Sequence, residues 1–133
     1  MKYIVTFIYV CIAEFIWLYL INSKNYANVT KQVQKTEMKV NVYYAFVAYL
    51  FVFASIFMLA LPFSKKYINK TDKKNNIILK SLFYGGMVGF FIYGIYNFTS
   101  ISIYSNYTLE ISIKDTLWGT FLYGTTVALF NII

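Results

Sequence analysis

The sequence predicts an all-α, polytopic membrane protein: a four-transmembrane-helix, up-down bundle folded as a single membrane domain over residues 1–133. Three observations carry that prediction. Hydrophobic residues make up 59% of the chain and charged residues 13%, whereas about a quarter of the residues in ordinary soluble domains are charged. The apolar residues gather into four long runs, at about 3–22, 40–61, 77–100 and 112–133, each close to the roughly 20 residues that a helix needs to cross a hydrocarbon core. Short segments join the runs, which favours antiparallel neighbours.

The first run, YIVTFIYVCIAEFIWLYLIN, follows Lys2 and carries Glu14 near its middle. It is long for the apolar part of a signal peptide and is read as a membrane span. Residues 23–39 form a polar connector with Lys24, Lys31, Lys35 and Lys39 and no clear apolar face. The second run is scaffold, and Pro62 is expected to end it, because proline cannot continue helical hydrogen bonding. A lysine-rich connector leads to the third run, which holds Gly85, Gly86, Gly89 and Gly94 and ends in Tyr96-Asn97-Phe98-Thr99-Ser100. The fourth opens with Asp115-Thr116-Leu117-Trp118-Gly119.

Charge orients the bundle. The twelve basic residues are all lysine. With four spans, Lys2, Lys65, Lys66, Lys70, Lys73, Lys74 and Lys80 fall on one side, and Lys24, Lys31, Lys35, Lys39 and Lys114 on the other. The excess on the first side places both termini in the cytoplasm by the positive-inside rule. The lysines lie in loops and the aromatics in apolar runs, so there is no basic face with stacking rings and no nucleic-acid partner is expected. Tyrosines near the span ends, Tyr26 and Tyr107 among them, read as an interfacial aromatic belt. The expected partners are the lipid bilayer and either further copies of this chain or other membrane subunits.

One cysteine, Cys11, and no histidine leave no metal set, and no nucleophile–base pair is evident, so no catalytic residue, metal or cofactor is expected and the reading leans away from an enzyme. The chemistry lies in polar groups inside the spans, where an ionised carboxylate costs about 2.5–3.5 kcal/mol on insertion scales. Glu14 and Trp17, like Asp115 and Trp118, stand three residues apart, a spacing that puts acid and indole on one helix face. Steps of three and four from Gly86 pass through Gly89, Tyr93, Asn97 and Ser100, so the glycine notch and the polar cluster share a face. Gly85 and Gly89 make a G-x-x-x-G spacing, for packing within the chain, a dimer interface or a hinge. The candidate ligand-binding residues are Glu14, Trp17, Tyr96, Asn97, Thr99, Asp115 and Trp118. The candidate packing residues are Gly85, Gly86, Gly89, Gly94 and Gly119.

These motifs resemble a family of small four-helix membrane proteins classed only as a domain of unknown function. Its pattern has an acid and a tryptophan in the first helix, Tyr-Asp-x-Thr-Asn at the end of the third, and Asp-x-x-Trp-Gly opening the fourth. Here Glu14 and Trp17, Tyr96 to Ser100, and Asp115 to Gly119 occupy those places, in order and over nearly the whole length. Asn97 stands where the family has aspartate, and Ser100 where it has asparagine. The resemblance implies a four-helix fold and these positions, with no reaction attached. An amide at 97 carries no ionisable proton. The function expected is binding or transport of a small polar solute or cation through a polar pocket; the alternative is a structural or assembly subunit of a larger membrane complex.

Overall fold

The computed structural model describes residues 1–133, and it contains helices and turns but no strand. Five helical rods follow in chain order. They are α1 (Lys2–Ile21), α2 (Ser23–Gln34), α3 (Val42–Lys65), α4 (Lys74–Ile103) and α5 (Leu109–Ile132). The expected four helices are thus corrected to five: residues 23–34, read as part of a polar connector, form α2. Its sequence hides this because only Val29 of the segment is buried. α2 ends at Lys35, whose left-handed backbone (φ 64°) is the one positive φ at a non-glycine residue, a conformation that reverses the chain after a helix.

Three rods, α1, α3 and α4, are long and apolar enough to cross a membrane. Their outward faces are apolar, with Leu20, Phe51 and Ile95 largely exposed, while Thr6, Ser64, Ser81, Asn97 and Ser112 are buried. That inside-out distribution suits a lipid solvent. Each of the three contains one widened, π-helical turn, at Ile16–Ile21, Ile56–Ala60 and Ser81–Gly85. The turn in α3 explains a second correction: Pro62 does not end the helix, which runs on to Lys65. The ring of a proline clashes with the carbonyl four residues back, and the π-helical turn just ahead of Pro62 has already altered that stretch of the ladder. α3 starts at Asn41, whose side chain accepts from the backbone N–H of Tyr43 and Tyr44, a cap that satisfies two otherwise orphaned donors. α4 and α5 likewise begin about a turn earlier than the apolar runs indicate, since their first turns are polar.

α5 is the central rod. Twelve of the 28 buried residues lie on it, and it is not among the helices apolar enough to cross a membrane by composition. Its surroundings account for this: α1, α3 and α4 pack against it, and the face that stays exposed is the apolar row Ile113, Leu117 and Phe121. Thr120, Thr125 and Thr126 donate to carbonyls one turn back, which hides their hydroxyls.

α1 runs antiparallel to α5, with Tyr9 donating to Thr125 Oγ1 at 2.7 Å and Lys2 to the Phe130 carbonyl at 3.5 Å. α4 also runs antiparallel to α5, from Asn131 donating to Ser81 Oγ (2.9 Å) to Asn97 beside Asp115. Their closest approach is at Gly89 and Gly119: a Cβ on Gly89 would lie 2.2 Å from the Gly119 carbonyl oxygen, and one on Gly119 as close to the Tyr93 ring. Gly94 differs, since a Cβ there would meet only a Thr116 methyl at 3.8 Å. The apolar core lies between α1, α3 and α5, where Val10, Ile56, Leu122, Tyr123, Val127 and Phe130 pack together. Tyr123 and Ser55 hydrogen-bond through their hydroxyls, tying α5 to α3.

Candidate functional site

The polar groups of α1, α4 and α5 meet at the end of the bundle that α2 covers. Glu14 is 4% exposed, Asp115 7% and Asn97 0%. Glu14 Oε1 accepts from the Tyr93 hydroxyl at 2.9 Å and from Trp118 Nε1 at 3.3 Å. Asn97 Nδ2 donates to the Tyr93 carbonyl (2.8 Å) and to Asp115 Oδ2 (2.7 Å). The Tyr26 hydroxyl, carried by α2, donates to Asp115 Oδ1 and accepts from Trp17 Nε1 at 3.2 Å. Trp17 stacks on Trp118, centroids 4.9 Å apart and planes 3° from parallel.

These contacts close a ring: Glu14, Tyr93, Asn97, Asp115, Tyr26, Trp17, Trp118 and back to Glu14. The i, i+3 spacing aligns each acid with its indole. The antiparallel course of α1 and α5 then turns the two indoles face to face. The π-helical turn after Phe15 holds Trp17 and leads into Asn22, where the chain bends into α2.

No basic side chain reaches either acid. The three ion pairs are Lys31–Glu37, Lys80–Asp72 and Lys114–Glu110; Lys114 therefore pairs with Glu110, one turn earlier, and not with its neighbour Asp115. Both buried carboxylates rest on neutral donors. Burial, with the Asp115 charge next in weight, raises the Tyr26 phenol above its ordinary pKa. Burial likewise raises that of Tyr107, whose hydroxyl donates to Asn97 Oδ1 at 2.8 Å. Both phenols stay protonated at neutral pH and act as donors. Nowhere do three His, Cys, Asp or Glu side chains gather as metal ligands.

Of the seven ligand-binding candidates, Glu14, Trp17, Asn97, Asp115 and Trp118 are brought together. Tyr96 and Thr99 are not. Thr99 is exposed on the outer face of α4, and Tyr96 is 64% exposed, lining instead a cavity of about 320 Å³ between α4 and α2, with Val29, Val33 and Tyr107. Sequence reasoning missed Tyr26 and Tyr107 as ring partners, having read them as interfacial rings, and it placed Tyr93 on the polar face without counting it among the ligand-binding candidates. In a chain with fourteen tyrosines, no local signal sets these three apart, although Tyr93 does lie one turn before Asn97 on the glycine-notched face. Two buried polar atoms lack partners, Asn22 Nδ2 at the α1–α2 bend and Thr116 Oγ1 beside Asp115.

A second polar cavity, of about 150 Å³, lies on the other flank of α2, between Asn25, Asn28 and Gln32 on that helix and, opposite, Thr108, which caps α5, and Glu110 in its first turn. Asn106 Nδ2 donates to the Gln32 carbonyl at 3.1 Å, pinning the far end of α2. α2 is therefore a bar across the mouth of the bundle, held by Tyr26 and by this outer contact.

Comparison with curated proteins finds no match, and comparison with solved structures finds none either. A family model described as "Predicted membrane protein (DUF2177)" matches residues 1–132. A match over essentially the whole chain, together with the apolar outer faces of the rods, makes this chain a member of that predicted membrane protein family.

Proposed function

We propose that the chain is a four-span membrane bundle, α5 being the fourth span and both termini cytoplasmic, that binds or transports a small polar solute or cation at the Glu14–Asp115 ring. The observation that carries this reading is the burial of two carboxylates with no basic partner. A carboxylate held inside a bilayer must be neutralised by a proton or by a bound cation. Oxygen and amide groups line the ring, which favours a proton, a monovalent cation or a neutral polar molecule over an anion. α2 acts as the gate, since Tyr26 must leave Asp115 Oδ1 before anything takes its place.

The test is ligand-dependent stabilisation in lipid nanodiscs. Melting of the wild-type protein is followed against sodium, potassium, ammonium and pH, beside Glu14→Gln and Asp115→Asn. The expected result is a cation- or pH-dependent shift in the wild type that both variants abolish while still inserting. An unchanged response in both variants sinks the reading.

A second reading has its own observation in support. Asp115 accepts through both oxygens and Glu14 through Oε1, from donors on three different helices, as expected of a structural clasp in an assembly subunit. That reading predicts fixed partner proteins retained in mild detergent and no response to any cation.

A further inference from the structure

The seam between α1 and α3 is closed at one end and open at the other. Near the N-terminus Tyr3 and Phe7 meet Phe57 and Phe53, each pair with centroids 5.0 Å apart. Farther along, the helices part around a groove of about 280 Å³ lined by Cys11, Phe15, Phe46 and Tyr49 among others. It shares Tyr19, Ala45 and Tyr49 with a cavity of about 270 Å³ beneath α2, whose walls add Leu18, Ala48, Met38 and Val40. The combined channel is mainly apolar, with the hydroxyls of Ser23 and Thr30 at its α2 end and Tyr26 lining it by its ring. Small side chains make the room: α3 presents Ala45 and Ala48 where α1 presents Leu18 and Tyr19.

We propose that this channel holds one acyl chain of an anionic phospholipid from the surrounding bilayer, the tail along the α1–α3 seam and the headgroup at α2. The tail follows from the lining and from its place between two helices apolar enough to cross a membrane. The charge of the head follows from Lys24 and Lys39. Lys24 adjoins Ser23, and Lys39 stands between Met38 and Val40, all three of which line the cavity. Both lysines are exposed and outside every ion pair, whereas Lys31 is taken by Glu37. Unpaired lysines beside an interfacial helix attract anionic headgroups. The lipid contacts Tyr26 from the side opposite Asp115, so the site lies behind the gate of the ring, yet it needs only the membrane setting and no solute at Glu14.

The experiment is native mass spectrometry of the full chain released from nanodiscs of mixed phosphatidylglycerol and phosphatidylcholine. One bound phosphatidylglycerol per chain is expected. Ala45→Phe with Ala48→Phe, which fills the channel, weakens retention about tenfold, the scale of a cavity overpacked by rings. Val47→Phe, on α3 but outside the channel, leaves it unchanged. No stoichiometric lipid, or equal retention in the channel-filling variant, overturns the site; equal retention of phosphatidylcholine overturns the anionic head. Should the double variant misfold, phosphatidylglycerol with a photoreactive acyl chain is cross-linked to the wild type. Adducts on the α1, α2 and α3 peptides support the proposal, and adducts spread evenly over the outer face of α4 overturn it.

Discussion

Trp17 and Trp118, the only two tryptophans of the chain, lie 101 positions apart and stack with their planes 3° from parallel and their centroids at 4.9 Å. Coupled indoles at that spacing give a circular-dichroism signal that neither produces alone. The expected outcome is that the spectra of Trp17→Phe and Trp118→Phe do not add up to the wild-type indole spectrum. Each variant should lose about 0.5–1.5 kcal/mol beyond simple burial. Additive spectra would show that the rings are not stacked in the bilayer.

Tyr26 and Tyr107 donate to the ring from outside the long rods, and their removal separates a carboxyl acceptor from an amide one. Tyr26→Phe takes a donor from Asp115 and is expected to cost about 1.5–3 kcal/mol, whereas Tyr107→Phe, which takes a donor from the Asn97 amide, costs about 0.5–1.5 kcal/mol. Chemical unfolding in detergent reads both. Equal costs, or the greater cost for Tyr107→Phe, would refute the Tyr26–Asp115 bond as the stronger of the two.

At the α4–α5 crossing two glycines of the same helix behave differently. Gly89→Ala drives a methyl into the Gly119 carbonyl and is expected to destabilise by about 1–3 kcal/mol or more. Gly94→Ala meets only ordinary contact and is expected to be neutral or slightly stabilising, since alanine is the better helix former. Thermal stability of the two variants in one detergent decides the matter, and a reversed order would refute the crossing.

Asp72 accepts from Lys80 Nζ at 2.7 Å and from the Asn69 N–H at 2.8 Å. The lysine first, then the backbone N–H, lowers its carboxyl below the ordinary value. A carboxylate depressed in the folded state stabilises above its unfolded pKa of about 3.9, and that contribution is lost as pH falls through the lower folded value. Asp72→Asn is thus expected to melt below the wild type at pH 7, with the gap closing as the pH falls below the ordinary carboxyl range, as seen in paired melts; a gap that widens toward acid would contradict the sign.

The rods were legible because lipid-facing runs are long and the polar clusters fall at their ends. The acid–indole pairs were legible for a geometric reason, since a spacing of three fixes a shared face whatever the tertiary structure. α2 was not. Its docking rests on Tyr26 meeting Asp115, 89 residues away, and such a contact leaves no periodicity in the local sequence. Pro62 misled for a related reason: the widened turn that lets α3 continue is set by packing, as Ile56 and Ala60 in that turn are fully buried against the other rods. The mixed composition of α5, which weakens it as a span, becomes intelligible once its polar residues are seen packed against three neighbours, with Ile113, Leu117 and Phe121 left facing outward.

The donors of Glu14 bear on how the protein is made. Tyr93 and Trp118 lie on the last two rods, so when α1 leaves the ribosome and enters the membrane its carboxyl has no partner in the chain yet synthesised. It must wait, protonated or close to water, through the emergence of α2 and α3, and is first met by Tyr93 of α4. Only with α5 does the indole arrive and the ring close. A chain stopped before Leu109 holds three apolar helices long enough to cross a membrane, yet it carries an acid with half its donors missing.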